Sequence, residues 1–311
     1  MKNIYYLLFI ILCIAACTPH EAHLTILHTN DTHSQVEPKD NGQGGYARRM
    51  GLIKQERKTD PDLLLVDAGD FSQGTPYFNL YRGRVEIDAM NYIGYDAATL
   101  GNHEFDNGLD SLAMVLKQAQ FPIVCANYDF TGTPVEGLVR PYTIVKKGGL
   151  RVGIFGLGCN PKGIISDRNF EPAQYLEPYA VAQRMADTLH AQGCDVVVCL
   201  SHMGTMGKAK TDACDSVMVT CTRGIDVVIG GHTHKFYDKL RVANLDGDSI
   251  PLCQMGKSGV YLGKIVLDLS DKMEKYRKKI CSFQKKAVIL HRFRGIRVYR
   301  RLRKLRKTYI N

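Results

Sequence analysis

The sequence lacks any pair of cysteines spaced as CxxC, although it contains ten cysteines among its 311 residues. This absence argues against a structural zinc site built from thiolates. Cys125 and Cys199 lie inside apolar, strand-like runs, where a free cysteine behaves as a small apolar residue. Cys214 and Cys221 flank the segment DSVMVT and are candidates for a disulfide, which the sequence alone leaves open.

Acidic residues are almost absent from the C-terminal end of the chain. Residues 272–311, here called the basic tail, contain sixteen lysines and arginines and a single acid, Glu274. The remaining residues 1–271 hold twenty-five basic and thirty acidic side chains, a net charge of −5, although the whole chain carries +10. The positive charge that would suggest a nucleic-acid partner therefore belongs to the tail and not to the body of the protein.

The basic tail has two interpretations. Phe293, Ile296, Tyr299, Leu302 and Leu305 recur at three-residue spacing, which is typical of an amphipathic helix that lies on an anionic membrane or on nucleic acid. The abrupt change of composition instead favours a disordered tail, or translation out of frame after about residue 271. A nucleic-acid partner is therefore not expected.

Long apolar runs are also missing, apart from the N-terminus. The segment MKNIYYLLFIILCIAAC has a lysine, then an apolar run that is short for a membrane span and typical of a secretory signal peptide. Its ending, IAAC, resembles the lipobox of bacterial lipoproteins, whose cysteine is lipidated. We expect residues 1–17 to be a lipoprotein signal peptide ending in lipidated Cys17. The protein would then be exported and anchored by lipid to a cell-envelope membrane, on its periplasmic or surface face. An uncleaved anchor helix is the alternative.

Between these ends the chain has no internal repeat and no low-complexity linker. Short apolar runs, each followed by a polar turn, alternate with longer segments of helical spacing at 45–58, 83–93, 109–119 and 178–192. This alternation predicts one α/β domain with largely buried strands, which we place at 23–270. In such sheets, ligands gather at the carboxyl ends of the strands.

Five polar clusters follow strand-like runs of this domain, namely NDTH, DAGD, GNHEFD, SHMG and GGHTH. Each alone has a structural explanation, since an Asp after a strand is commonly a helix cap or a turn residue. Together they supply more ligands than one ion needs, and imidazole, carboxylate and amide groups suit Zn²⁺, Mn²⁺ or Fe rather than Ca²⁺ or Cu(I). We therefore expect two divalent metal ions that share one bridging carboxylate.

The motifs LHTNDTHS, DAGDFSQGTP, LGNHEFDNG and GGHTH resemble those of the calcineurin-like metallophosphoesterases, and in particular of their bacterial 5′-nucleotidase branch. The resemblance covers about residues 23–270, which correspond to the N-terminal catalytic domain of that branch. It implies a four-layer α/β fold in which two mixed β-sheets pack face to face with helices outside. It also implies two metal sites. Asp31, His33 and His234 would hold one ion, Asn102, His202 and His232 would hold the other, and Asp70 would bridge them. Relatives close to this branch often carry glutamine where this chain has His234, a stronger ligand for borderline metals.

The resemblance implies a catalytic role for His103, which would contact the phosphoryl group and stabilise charge or protonate the leaving oxygen. Asp106, three residues later, would orient the imidazole and favour its protonated form, although an Asp here could merely cap the following helix. Glu104 would hold a metal ligand in place or form a buried salt bridge. The implied reaction is in-line attack on phosphorus by a hydroxide held between the metals, without a covalent enzyme intermediate.

The resemblance does not extend to the C-terminal domain that carries the nucleobase pocket in the 5′-nucleotidase branch. About forty residues follow the catalytic domain, too few for such a domain. A separate chain would supply the pocket, or the domain would hydrolyse a broader set of phosphoesters alone, or the gene is truncated. We expect an exported hydrolase of nucleotide 5′-phosphomonoesters or similar phosphoesters.

Two alternatives to this function remain. The first is a 2′,3′-cyclic nucleotide phosphodiesterase, because the motifs at the metal centre do not read the leaving group. The second is a catalytically silent, metal-binding subunit of a two-chain nucleotidase. The presence of both His103 and Asp106 argues against the silent subunit.

Overall fold

The computed structural model of the chain describes residues 23–207, 213–268 and 287–289. In chain order its strands are β1 (His23–Thr29), β2 (Leu64–Asp67), β3 (Ala97–Thr99), β4 (Ile123–Val124), β5 (Tyr128–Asp129), β6 (Val139–Arg140), β7 (Tyr142–Lys147), β8 (Leu150–Leu157), β9 (Gln174–Tyr175), β10 (Val196–Ser201), β11 (Val227–Gly230), β12 (Phe236–Ala243), β13 (Ser249–Met255), β14 (Gly263–Asp268) and β15 (Ala287–Ile289). Its helices are α1 (Tyr46–Thr59), α2 (Pro76–Tyr81), α3 (Arg84–Ile93), α4 (Gly108–Leu116), α5 (Asp167–Phe170), α6 (Pro178–Ala191) and α7 (Asp215–Thr220), and a 3₁₀ turn spans His103–Phe105.

Two large mixed sheets carry most of these strands. The first has the order β15-β14-β1-β2-β3-β4-β6, parallel from β1 to β6 and antiparallel at β14 and β15. The second has the order β12-β13-β11-β10-β8-β7, with antiparallel pairing only at its two edges. Crossover segments return the chain to the start of each parallel strand, so that the carboxyl ends of the parallel strands lie along one edge of each sheet.

An apolar core lies between the two sheets. Ile26 and Val66 of the first sheet and Ile154, Val198 and Ile229 of the second belong to it, and all five are fully buried. These strands are covered on both faces, which explains why their sequences are continuously apolar rather than alternating. Each such side chain contributes about 1.5–3 kcal/mol through its burial.

Helices cover the outer faces of both sheets. Ile53 of α1, Ile87 of α3 and Leu112 of α4 share a core with the first sheet. Met185 of α6 and Met218 of α7 belong to another core, against the second sheet. The protein is therefore a four-layer α/β sandwich, and the predicted fold class is confirmed.

The four predicted helical segments each contain a helix. Segments 45–58, 83–93, 109–119 and 178–192 correspond to α1, α3, α4 and α6. None of the helices within residues 23–207 and 213–268 has the length and apolar character that crossing a bilayer requires.

The ends of the chain and the cysteines complete the fold. The predicted signal peptide lies outside the described residues, and so does the basic tail except for Ala287–Ile289. These three residues pair with β14 as a strand, where a disordered or helical tail was expected. The unpaired backbone groups of a sheet edge accept an added strand, and apolar and β-branched residues favour it. Cys214 and Cys221 are free cysteines at the two ends of α7, and Cys125 and Cys199 are buried and free as expected.

Candidate metal centre

The predicted ligands all follow strands whose carboxyl ends meet at one edge of the sandwich. The loops after β1, β2 and β3 bring Asp31, His33, Asp70 and Asn102 from the first sheet, and those after β10 and β11 bring His202, His232 and His234 from the second. The interface between the two sheets therefore ends in a polar site to which both sheets contribute.

The first group of ligand atoms comes from Asp31, His33, Asp70 and His234, all within 4.8 Å of one another. Nε2 of His33 lies 2.8 Å from Nε2 of His234 and 4.0 Å from a carboxylate oxygen of both Asp31 and Asp70. Nε2 of His234 lies 3.4 Å from Oδ1 of Asp31. Two imidazoles and two carboxylates that converge in this way form a donor set for a borderline divalent metal.

The second group consists of Asp70, His202 and His232, whose ligand atoms also lie within 4.8 Å of one another. Nε2 of His202 is 3.0 Å from Oδ2 of Asp70. Asn102 adjoins this group, since its Oδ1 lies 2.9 Å from Nδ1 of His232. Asp70 is thus the residue that both groups share.

The surroundings of His202 fit a metal ligand. Its Nδ1 lies 2.7 Å from the carbonyl oxygen of Ala68, which can only accept, so Nδ1 carries a proton. Nε2 is fully buried, faces the Asp70 carboxylate and makes no hydrogen bond of proper geometry within the described part of the chain. An imidazole lone pair that faces a carboxylate requires a cation or a proton between them. A Cβ on Gly231 would come within 2.6 Å of Nδ1, so glycine is needed for this close approach.

Electrostatics of the site depend on these close contacts. Burial lowers the pKa of His232 to about 4, helped by His202, and burial also lowers the pKa of His33. Both imidazoles are therefore neutral at pH 7 and have a lone pair to offer. Burial opposes ionisation of Asp70, but His202 and other nearby imidazoles outweigh it and hold the pKa of Asp70 well below its usual range. In the metal-free protein, Asp70 and Asp31 overcome the effect of burial and raise the pKa of His202 to about 10.

The backbone at the ligands is strained. Asp31, His33, Asp70, His232 and His234 have φ of 48°, 46°, 54°, 73° and 57°, in the left-handed region that L residues other than glycine rarely adopt. Such a conformation costs about 1–3 kcal/mol per residue and persists only where the surrounding contacts enforce it. Strain concentrated on these residues indicates a functional site.

His103 and Asp106 lie beside the two groups of ligands. Nδ1 of His103 is 2.9 Å from Oδ2 of Asp106, and the ring centroid of His103 is 5.4 Å from that of His33. Burial lowers the pKa of His103, but the hydrogen bond that its ring donates to Asp106 and the charges of Asp70 and Asp106 raise it more. Asn107, not Asp106, is the N-cap residue of α4, and the helix has no side-chain hydrogen bond at that cap. The contacts thus favour the predicted His–Asp pair over a capping role for Asp106.

Comparison with known proteins identifies the family. Residues 24–236 match the family model of the calcineurin-like phosphoesterases. The chain belongs to this family. The predicted resemblance is therefore confirmed, and with it the expectation of a hydrolase that acts on phosphoesters.

Relatives of this phosphoesterase include 5′-nucleotidases. The chain is 36% identical over 280 residues to a snake venom 5′-nucleotidase of Naja atra. This match covers 80% of this chain and 51% of that protein. It is 34% identical over 278 residues to a 5′-nucleotidase of Rattus norvegicus, and this match covers 80% of this chain and 47% of that protein. The chain spans about half the length of these curated relatives.

Solved structures give the same relationship. A 5′-nucleotidase precursor from Thermus thermophilus has a TM-score of 0.74 and 33% identity, over 86% of this chain and 54% of that one. The calcineurin-like phosphoesterase YfkN from Bacillus subtilis has a TM-score of 0.68 and 33% identity, over 79% of this chain and 85% of that one. The likeness to YfkN therefore covers most of both chains.

Glu104 of this phosphoesterase supports the loops of the first sheet. Its carboxylate is buried and accepts hydrogen bonds from the backbone N–H groups of Asp70 at 3.0 Å, Ser72 at 2.9 Å and Gly101 at 2.6 Å. Burial and the charge of Asp70 raise the pKa of Glu104 to about 7. These contacts favour the predicted role of holding a ligand in place over that of a salt bridge.

Asn30 is a site residue that sequence reasoning missed. Its amide nitrogen donates to Oδ2 of Asp31 at 2.6 Å and to the carbonyl of Gly256 at 2.9 Å, and its oxygen accepts from the N–H of Met255 at 2.8 Å. Asn30 thus ties a ligand of the first sheet to the end of β13 in the second. The only feature of the sequence that pointed to Asn30 was its position immediately before Asp31. Asparagine is common in loops, so its presence there does not by itself indicate a site residue.

Proposed function

We propose that this phosphoesterase binds two divalent metal ions and hydrolyses nucleotide 5′-phosphomonoesters or similar phosphoesters. The observation that carries the proposal is the position of Asp70, whose carboxylate belongs to two groups of potential ligands at once. A carboxylate shared in this way is the arrangement expected of a bridging ligand between two adjacent ions.

The residues divide between two ions as follows. Asp31, His33 and His234 would hold the first, Asn102, His202 and His232 the second, and Asp70 both. The mixed nitrogen and oxygen donors suit Zn²⁺, Mn²⁺ or Fe. Two ions in such a site supply Lewis-acid activation of a phosphoryl group and of a nucleophilic water.

His103 would donate a proton or a hydrogen bond to the substrate. Asp106 accepts from Nδ1 of its ring, so Nε2 is the atom left to face a phosphoryl or leaving-group oxygen. The raised pKa of His103 supports this role, because the charged imidazolium stabilises negative charge in the transition state. The backbone N–H of His103 donates to Oδ1 of Asp70 at 2.9 Å, which keeps the ring beside the metal ligands.

A nucleotide substrate is supported by the relatives, which are named 5′-nucleotidases. The chain spans about half of the length of these relatives. A separate chain that supplies a nucleobase pocket belongs to the same proposal. Export and a lipid anchor at Cys17 follow from the N-terminal motif and belong to the same proposal.

Phosphate release by the full chain tests the function. The metal-stripped protein would be refilled with Mn²⁺ or Zn²⁺ and assayed for phosphate released from AMP and from an aryl phosphate. Hydrolysis of a 2′,3′-cyclic nucleotide would be followed by the nucleoside monophosphate that ring opening yields, because that step releases no phosphate. We expect metal-dependent release that collapses in His103→Ala and persists in His190→Ala, a histidine of α6 outside the site. Preference for the cyclic nucleotide would instead indicate a phosphodiesterase. Two bound ions without any turnover would indicate a silent metal-binding subunit.

A further inference from the structure

Gln254 is a fully buried polar residue near the end of β13. Its side-chain oxygen accepts two hydrogen bonds, from Oγ1 of Thr205 at 3.1 Å and from Oγ1 of Thr233 at 2.6 Å. A buried amide is costly unless it is paired, and Nε2 of Gln254 has no hydrogen-bond partner among the described residues, so a glutamine in this strand needs a reason beyond packing. Its two partners supply that reason.

The two threonines belong to the two loops that bring ligands from the second sheet. Thr205 lies three residues after His202, and Thr233 lies between His232 and His234. One oxygen atom of Gln254 therefore connects the loop that carries His202 to the turn that carries the other two histidines.

The loop of Thr205 is well anchored on its other side. The N–H of Asp215 donates to the carbonyl of Gly204 at 2.9 Å, and that of Ser216 donates to the carbonyl of Thr205 at 3.1 Å. Oγ of Ser201 also donates to Asp215 at 2.5 Å. The start of α7 thus holds this loop in place, and through Gln254 the loop can in turn fix the position of the turn 231–234.

The turn 231–234 is strained. Both His232 and His234 have φ in the left-handed region, at 73° and 57°, which must be enforced from outside. The hydroxyl of Thr233 reaches Gln254 from the middle of this turn. Loss of that bond would release strain at the residues that face the ions.

We propose that Gln254 is a positioning residue for the metal centre, acting through the hydroxyl groups of Thr205 and Thr233. The inference rests on the proposed two-metal site and names a group that sets its affinity. Partners of metal ligands typically change metal affinity by about 10–100-fold when they are removed. Gln254 does not contact the histidines directly, but through the two threonines it supports the loops of all three. We therefore expect its loss to weaken metal affinity about tenfold.

A purely structural role would look different. The methyl group of Thr233 packs over Gly204, where a Cβ would come within 3.0 Å of it. Thr233 therefore offers two separable contacts between the loops, a methyl contact and a hydroxyl bond. Thr233→Val keeps the methyl group and loses the hydroxyl, whereas Thr233→Ser does the reverse.

Metal affinity of the full chain tests the proposal, measured by calorimetric titration of Mn²⁺ into the metal-free protein. Absorption spectra of the Co²⁺-loaded protein report the ligand geometry. We expect Thr233→Val to weaken Mn²⁺ binding about tenfold and to change the Co²⁺ spectrum, and Thr233→Ser to stay within about threefold of the wild type. Gln254→Met should reproduce the valine variant, and Thr205→Val should act in the same direction if Thr233→Val does not fold.

Leu252→Ala is the matched control, because Leu252 lies on the same strand, is fully buried and has no side-chain group that could hydrogen-bond to either threonine. It should lower thermal stability without changing Mn²⁺ affinity. Equal Mn²⁺ affinity in the valine and serine variants, or a larger loss in the serine variant, would overturn the positioning role alone. A wild-type chain that binds no Mn²⁺ would overturn the metal centre, and the positioning role with it.

Discussion

The backbone N–H of Asp70 donates a hydrogen bond of 3.0 Å to the buried carboxylate of Glu104. The two residues follow neighbouring strands, β2 and β3, and the same carboxylate also holds Ser72 and Gly101. Glu104 is therefore not a ligand itself but fixes the loop of the ligand that both groups share.

Glu104→Gln should destabilise the protein by about 1–3 kcal/mol, because the amide NH₂ that replaces one oxygen faces a backbone N–H and leaves it without an acceptor. Chemical denaturation of the metal-free protein measures this loss. Glu136→Gln is the matched control, since Glu136 also accepts a backbone N–H, from Gly132 at 2.8 Å, but at an exposed position. Similar effects in both variants would mean that the buried carboxylate has no special role.

His103→Ala should lower kcat by about 10²–10⁴-fold if the imidazole acts as a general acid. Asp106→Asn should cost less, because it removes the charge that raises the pKa of His103 but keeps the ring. A series of aryl phosphates distinguishes the roles. If His103 protonates the leaving oxygen, His103→Ala should lose more kcat with poor leaving groups than with good ones. A loss of kcat that is uniform across the series would mean that His103 only stabilises charge on the phosphoryl group.

Asp70→Asn should remove both ions, and His234→Gln should weaken only one of them. The reason is that Asp70 belongs to both groups of ligands, whereas His234 belongs to one. Metal content after dialysis, measured by elemental analysis, should fall towards none in the first variant and towards one ion per chain in the second. Loss of a single ion from the asparagine variant would contradict a bridging role.

His28→Leu should stabilise the protein against acid. His28 is fully buried in β1, and neither ring nitrogen has a hydrogen-bond partner among the residues that the structure describes. Burial lowers the pKa of His28 from its usual 6.5 to about 3. Between pH 6.5 and pH 3, His28 therefore binds a proton in the unfolded chain but stays neutral in the folded chain. Stability is lost as the pH falls from 6.5 towards 3, by up to about 1.4 kcal/mol per pH unit.

Denaturation midpoints between pH 7 and pH 4 measure this effect. The leucine variant should lose less stability than the wild type over that range, and it should also gain about 1 kcal/mol at pH 7 because the unpaired ring nitrogens are gone. Parallel pH curves for the leucine variant and the wild type would show that His28 does not take part in acid unfolding.

Short-range patterns in the sequence were enough to predict the chemistry of the site. Apolar runs that end in NDTH, DAGD and GGHTH predicted strands with ligands at their carboxyl ends, and the structure places these residues together. The pattern works because a parallel sheet collects the ends of separate strands at one edge, whatever the distance between them along the chain. The α/β class and the four helices followed from the same periodicity.

Other features of the site carried no local signal. Gln254 lies within an apolar strand, and nothing nearby in the chain marks it as the acceptor for Thr205 and Thr233. Asn30 and Glu104 lay inside recognised motifs, but their partners were invisible because those partners are backbone groups of other loops.

The sequence by itself determined the donor types and the strand ends that carry them, because these depend on local composition and period, and its motifs carried the resemblance to the family. The resemblance implied that Asp70 is shared and that His33 and His234 serve one ion. Only the tertiary structure gave the contacts that bring these residues together across two sheets, and the buried groups that hold the strained loops. Those are contacts between segments up to about two hundred residues apart, such as His33 with His234. They form only when two sheets pack face to face, which no local pattern encodes.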